Sequence, residues 1–296
     1  MSVNMQKRFA VLILFFEKAR QTVECVKSFL PSGVRIYILN NGSSERNSRA
    51  VEQFCKPFEQ VTIFRSDVNL GVSRGRNFLI EKTDEEFLFF VDNDIVIKTA
   101  NWVDSALAAI SAHPDAEAFA PRMFNVWENR FLPCFSIDIV DNRMVYRYIK
   151  ESDCGPGTRL NCILGGASIV KRTLFERLGL YDSAMFVGFE DYELALRGIR
   201  TQPIVCMPLQ DIILHHDHAP ARGNACDRDA VAVRYRVSLH EESIRQIRAR
   251  HGVEFFNDTS WRKWVAQQQR VLVPAHPLAA VWSRCIKKIR SIAGRC

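Results

Sequence analysis

Between residues 9 and 91, apolar runs of strand length alternate with stretches whose hydrophobic residues recur at helical spacing. The strand-like runs are "FAVLILFF" (9–16), "VRIYILN" (34–40), "VTIFRS" (61–66) and "FLFFV" (87–91). Between them lie "QTVECVKSFL" (21–30), with Val23, Val26, Phe29 and Leu30 at helical spacing, then "RAVEQFC" (49–55) and "VSRGRNFLIEKT" (72–83). Such alternation predicts βαβ units and a mostly parallel sheet. Near-continuous apolar runs predict strands covered on both faces. The expected fold class is therefore α/β, a mostly parallel sheet flanked by helices.

The rest of the chain is less regular. Residues 119–160 mix short strand-like pieces with turns and read as an excursion beside the main sheet. "CILGGASIV" (162–170) resumes a strand, and "KRTLFERLG" (171–179) and "FEDYELALRGI" (189–199) read as helices. "PIVCMP" (203–208) and "DIILHHDH" (211–218) read as two final strands. Two long helices follow, in "DAVAVRYRVSLHEESIRQIRARHG" (229–252) and "SWRKWVAQQQRV" (260–271). The sequence thus divides into a sheet domain, 1–220, and a helical extension, 221–296.

The 296 residues suffice for a substantial core. No apolar run approaches the ~20 residues that span a bilayer, and no secretory signal with an A-x-A type cleavage site is evident. Nine scattered cysteines without a C-x-x-C pair argue against a disulfide framework or a structural zinc site. Reduced thiols in a cytoplasmic protein are the expectation. The net charge of +7 suits a polyanionic partner without choosing among nucleic acid, anionic lipid and phosphorylated substrate.

Ligands of a parallel sheet bind outside the carboxyl ends of its strands. Polar clusters fall at those ends: "EKAR" (17–20), "NNGSS" (40–44) and "DNDIVI" (92–97). Asp92 and Asp94 stand at i and i+2, so on a strand both carboxylates share a face and could reach one cation. Oxygen ligands of this kind suit Mg²⁺ or Mn²⁺. Taken alone, a D-x-D pair is more often a solvated turn; its place at a strand end favours the cation. Asn69, Leu70 and Gly71 precede Arg74, Arg76 and Asn77, and a helix start beside guanidiniums attracts phosphate; an exposed basic helix is the plainer alternative. Glu190 and Asp191 open a helix, as ordinary dipole-favoured acids or as a general base. The trio His215, His216 and His218 lacks a cysteine pair, so one imidazole completing an oxygen-rich site fits better than a zinc centre.

In order, an apolar strand, "LNNGSS", "NLGVSRGRN", "FFVDNDIVI", "LGGASIVKRTLFERLGLYD", "GFEDYELALRG" and "ILHH" follow one another. Over residues 9–220 this resembles a glycosyltransferase family 2 enzyme of the Rossmann-like GT-A fold. The resemblance implies a nucleotide-sugar donor, Mg²⁺ or Mn²⁺, a hydroxyl acceptor and inversion at the anomeric carbon. It implies that Asp92 lies near the donor ribose and the metal's waters and that Asp94 binds the metal directly. Gly165 and Gly166 match the small residues where backbone approaches donor and acceptor. Asp191 matches the catalytic base, with Glu190 beside it, and His215 matches the late histidine at the metal, with His216 as its rival. The chain departs from the family after the first strand, where "FFEKAR" places Glu17 near the usual nucleobase position. It departs again at Asn40-Asn41, where an acidic pair is common; Asn41 is expected to accept a uracil N3–H through its carbonyl. A cell-surface glycan or glycolipid acceptor is implied, and the transferred sugar would be a hexose or deoxyhexose.

The stretch 277–296 carries an apolar stripe with Arg284, Lys287, Lys288, Arg290 and Arg295 and no acid. It suits either a helix on the inner face of an anionic membrane or one packed on the domain. Two other functions compete with this reading. A nucleotidyltransferase calls for a glycine-rich loop where "EKAR" stands. A basic nucleic-acid-binding protein has only "SWRKW" as a binding surface and leaves the three aspartates unexplained.

Overall fold

The computed structural model describes residues 8–155, 157–217, 225–255 and 258–272. In chain order the elements are β1 (Phe9–Phe15), α1 (Ala19–Phe29), β2 (Arg35–Asn41), α2 (Glu45–Cys55), β3 (Val61–Ser66), α3 (Gly71–Glu81), β4 (Phe87–Asp92), β5 (Ile95–Ile97) and α4 (Trp102–Ala112). There follow β6 (Ala118–Asn125), β7 (Arg130–Phe131), β8 (Cys134–Val140), β9 (Arg143–Ile149), β10 (Ala167–Lys171), α5 (Arg172–Leu178), α6 (Glu190–Arg200) and β11 (Cys206–His216). The last elements are α7 (Ala225–Arg234), α8 (Val237–His251), β12 (Glu254–Phe255) and α9 (Asp258–Leu272).

The main sheet runs β3-β2-β1-β4-β10-β6-β11-β5. Strands β1 to β4 are parallel, as are β6 and β11. The odd residues of β1 (Phe9, Val11, Ile13, Phe15) enter one core with Phe29, Phe89 and Trp102. Its even residues, Ala10 and Leu12, enter a second core with Leu79, Phe90 and Tyr181. A run without polar alternation thus supplies both faces of a covered sheet. From β1 the chain builds outward through β2 and β3, then returns to β4 on β1's other side. That reversal opens a crevice at the carboxyl ends of β1 and β4, beside Glu17 and Asp92.

Several expectations need correction. Strand β10 runs antiparallel to both β4 and β6, and β5 runs antiparallel to β11, so the sheet is mixed. Of "CILGGASIV" only the residues from Ala167 onward are strand, and β10 runs on to Lys171. Residues 118–125 belong to the main sheet as β6; the excursion is the β8–β9 hairpin, which forms a small sheet with β12. The two expected final strands are one, β11, whose register against β6 shifts between Leu209 and Ile213. Pro208 is itself in register opposite Ala120, and the irregularity follows it.

The described residues divide into two compact units, one holding 8–217 and 239–255, the other 225–238 and 258–272. Most of α8, although it lies beyond residue 220, thus groups with the sheet. In the second unit Tyr235 meets Trp264 edge to face at 5.8 Å. Among the described residues no helix is long and apolar enough to cross a membrane. The basic stretch 277–296 lies outside them, as does His218.

Candidate active site

Asp92 ends β4, whereas Asp94 sits in the turn before β5. The shared-face argument for the two carboxylates therefore gives way to a turn that brings them together. Asn93 pins that turn by donating to Thr22 Oγ1 at 2.9 Å and to the Glu17 carbonyl at 3.4 Å. Antiparallel pairing of β5 with β11 sets His216 opposite Ile95, and His216 Nε2 lies 3.1 Å from Asp94 Oδ1. One side-chain ligand atom each from Asp92, Asp94 and His216 falls within 4.8 Å of the others. Two carboxylates and an imidazole at that spacing fit a six-coordinate Mn²⁺ or Mg²⁺ that keeps further positions for water or phosphate.

His215 is not in this cluster. Successive strand residues face opposite ways, and its ring packs on Phe124, with centroids 5.1 Å apart. Burial, and then Lys98, push its pKa down. Of the two rival histidines the structure therefore brings His216 to the aspartates.

Arg76 ties this cluster to the start of α6. Its Nη1 donates to Glu190 Oε1 at 3.0 Å and its Nη2 lies 3.6 Å from Asp92 Oδ1, with all three side chains largely buried. The guanidinium also lies over the Tyr181 ring at 5.6 Å. Burial alone would lower the Arg76 pKa, but Glu190, Tyr181, Asp92 and Asp191 outweigh it and the value is raised. Arg76 is thus a buried counter-ion between two acids, rather than the open phosphate-binding cation expected of that helix.

Next to Glu190, Asp191 is buried, and desolvation followed by the Glu190 charge raises its pKa to about 7 against the opposing pull of Arg76. The Gly165 N–H donates to Asp191 Oδ2 at 3.0 Å, and the Asp92 N–H donates to the Gly166 carbonyl at 2.7 Å. Adjacent glycines therefore hold the two acids. Gly166 has φ +95°, and a Cβ there would lie 3.3 Å from Asp92 Oδ2, so both backbone and space call for glycine. Before α6, Phe189 takes a left-handed φ of 67°, rare for a non-glycine residue. Its ring is held against Phe255, Tyr192 and His240 at 4.7–5.7 Å, and Ser243 of α8 donates to the Val187 carbonyl at 3.0 Å. Tyr192, following Asp191, packs on Phe135 and Tyr146 of the hairpin, whose Tyr148 is exposed.

The residues expected to meet the nucleotide are differently engaged. Glu17 is buried, and its carboxylate accepts from the Ser44 N–H (2.7 Å), the Ser44 hydroxyl (2.9 Å) and the Asn47 amide. It satisfies the first turn of α2, instead of presenting itself to a base. Asn41 is buried, donates to Asn69 Oδ1 (3.0 Å) and the Gly71 carbonyl (3.2 Å), and accepts from the Leu70 N–H (2.8 Å). Asn41 and Asn69 thus clamp the loop into α3, and the expected uracil contact does not fit so enclosed an amide. Arg74 is exposed and donates to the Ser183 carbonyl at 2.9 Å. Sequence reasoning missed Lys18, whose Nζ lies 3.2 Å from Asp94 Oδ2; its only signal was a basic residue just past a strand tip.

The family model described as "Glycosyl transferase family 2" matches residues 10–179, more than half the chain. The chain belongs to glycosyl transferase family 2. A Haemophilus influenzae protein, described only as uncharacterized, is 27% identical over 94 residues, which is 30% of this chain and 51% of that relative. Among solved structures, GalNAc-T7 with UDP, GalNAc and Mn²⁺ has a TM-score of 0.57 at 16% identity, covering 91% of this chain and 58% of its own. The Pyrobaculum calidifontis mannosyltransferase PcManGT with GDP-Man and Mn²⁺ has 0.53 at 16%, covering 97% and 75%. S. aureus TarS 1-349 with UDP has 0.54 at 15%, covering 90% and 81%. The chain spans about half of the Haemophilus relative and under two thirds of GalNAc-T7. The likeness to the solved structures is one of fold, the GT-A fold.

Proposed function

We propose that this family 2 member is a metal-dependent, inverting glycosyltransferase that moves a hexose or deoxyhexose from a nucleoside-diphosphate sugar to an acceptor hydroxyl. The observation that carries the proposal is the pairing of a carboxylate–imidazole cluster, Asp92, Asp94 and His216, with the buried carboxyl of Asp191 through adjacent glycines. Mn²⁺ or Mg²⁺, held by Asp94 and His216 with Asp92 beside them, would supply Lewis-acid neutralisation of the departing diphosphate. Asp191, with a pKa raised to about 7, is matched to take a proton near neutral pH. The Gly165 N–H fixes one of its oxygens, and Arg76 keeps Glu190 and Asp92 at a set separation. Loss of the hydroxyl proton to Asp191 as the new glycosidic bond forms leaves the nucleoside diphosphate as the leaving group. The acceptor side is the aromatic face of Tyr192, Tyr146, Phe135 and Tyr148, which suits the apolar face of a sugar ring in a cell-surface glycan or glycolipid.

The test is thermal stabilisation by a panel of nucleoside diphosphates and nucleotide sugars, with and without Mn²⁺, on wild type and Asp94→Asn. A ligand at about 100 times its dissociation constant adds roughly 2.7 kcal/mol. The expected result is stabilisation by one base that needs both Mn²⁺ and Asp94. A folded, Mn²⁺-supplied protein that no nucleotide stabilises would overturn the proposal.

A further inference from the structure

Lys18 precedes α1 and, like Glu17, has a left-handed backbone, with φ of 54° and 55°. Two successive non-glycine residues in that region need strong local determinants. Here the Glu17 carboxylate is locked onto Ser44 and Asn47, and the Glu17 N–H donates to Ser43 Oγ at 3.0 Å. The turn sends the Lys18 side chain back over the crevice to the tip of β4. Its ammonium reaches Asp94 Oδ2 at 3.2 Å while His216 faces Oδ1 at 3.1 Å, and the Lys18 and Asp94 side chains are 11% and 1% exposed. Both oxygens of the acid expected to bind a divalent ion therefore already face a nitrogen, and one of those nitrogens carries a positive charge.

A divalent ion and an ammonium on one carboxylate oxygen repel each other, and burial strengthens that repulsion. The lysine can nonetheless yield. Its charge is compact and rides on a flexible four-carbon stem, unlike the planar guanidinium of Arg76, which two carboxylates and two rings hold in place.

We propose that Lys18 is a displaceable counter-ion of the metal site. Without nucleotide it neutralises Asp94 and holds the divalent ion off. When a nucleoside diphosphate enters, the ammonium moves to a diphosphate oxygen and Asp94 is released to the metal. Metal and nucleotide thereby bind as a linked pair, each tightening the other by the same factor. This rests on the donor-and-metal reading of the site given above.

The test is Mn²⁺ binding to the full chain, followed by the electron paramagnetic resonance signal of free Mn²⁺, with and without UDP or GDP. Wild type is compared with Lys18→Met and with Lys18→Arg, which keeps the charge. In wild type, the nucleotide that binds should tighten Mn²⁺ at least about tenfold. Lys18→Met should bind Mn²⁺ alone at least about tenfold more tightly than wild type and lose most of the nucleotide effect; Lys18→Arg alone should stay weak. If Lys18→Met does not fold, a Lys18→Gln variant serves the same comparison. Linked binding in wild type with an unchanged or weaker Mn²⁺ affinity in the uncharged variant would overturn the counter-ion role and leave the transferase reading standing. If no protein binds Mn²⁺ with or without either nucleotide, both fall together.

Discussion

Replacing Asp191 by Asn should stabilise the protein, by an amount that grows with pH. The carboxyl is buried, and its pKa rises from 3.8 to about 7, chiefly through desolvation and then through Glu190. Between about pH 4 and pH 7 the folded chain holds a proton on this group that the unfolded chain has released. Stability attributable to Asp191 therefore falls as pH rises through that window and is level above it. The difference between the two proton affinities corresponds to about 4 kcal/mol. Asparagine carries no such charge and can still accept from the Gly165 N–H. Urea unfolding of wild type and Asp191→Asn at intervals from pH 4 to pH 8, with chelator present, reads the effect of Asp191 together with the relief of its neighbour Glu190. The variant's advantage should climb by roughly 4 kcal/mol across the window and then flatten. An advantage that does not vary with pH, or that shrinks as pH rises, would refute the claim that Asp191 is held partly protonated by its surroundings.

Arg76→Met should destabilise the fold by about 3–5 kcal/mol in urea unfolding, because it leaves Glu190 and Asp92 buried without their cation. His216→Ala should weaken Mn²⁺ binding at least about tenfold, whereas His215→Ala, on the opposite face of β11 against Phe124, should leave it nearly unchanged in the same titration. Gly166→Ala should cost about 1–2 kcal/mol in a thermal or urea melt, from its φ of +95°. The same variant should also weaken nucleotide binding with Mn²⁺, since its methyl presses on Asp92 Oδ2.

The first half of the fold was legible because its strands are apolar on both faces and its helices carry a plain periodicity; the extents of β1 and β3 follow their apolar runs closely. Asp92 and Asp94 stood out because they close an apolar run, and Asp191 because it opens a helical stretch; Gly165 and Gly166, expected inside a strand, stood out only through the family resemblance. Contacts made across the chain were not. Lys18 and Asp94 are 76 residues apart, and Arg76 and Glu190 are 114 apart, so no local pattern announces either pair. The choice between His215 and His216 depends on which face of β11 each takes, and the shift between Leu209 and Ile213 resets that alternation. The antiparallel entry of β10 was hidden because a short apolar run reads alike in either direction. Asn41 and Glu17 looked available as polar residues at strand ends; their burial comes from the loops and helix starts that close over them.

The most direct measurement is transfer itself, using the nucleotide sugar that stabilises the protein with Mn²⁺ and an acceptor glycan, for wild type and Asp191→Asn at neutral pH. The product should carry the inverted anomeric configuration by NMR. The variant should bind donor as wild type does while kcat falls by about 10²–10⁴. A variant that turns over at the wild-type rate, or a product that retains the donor's configuration, would contradict this reading.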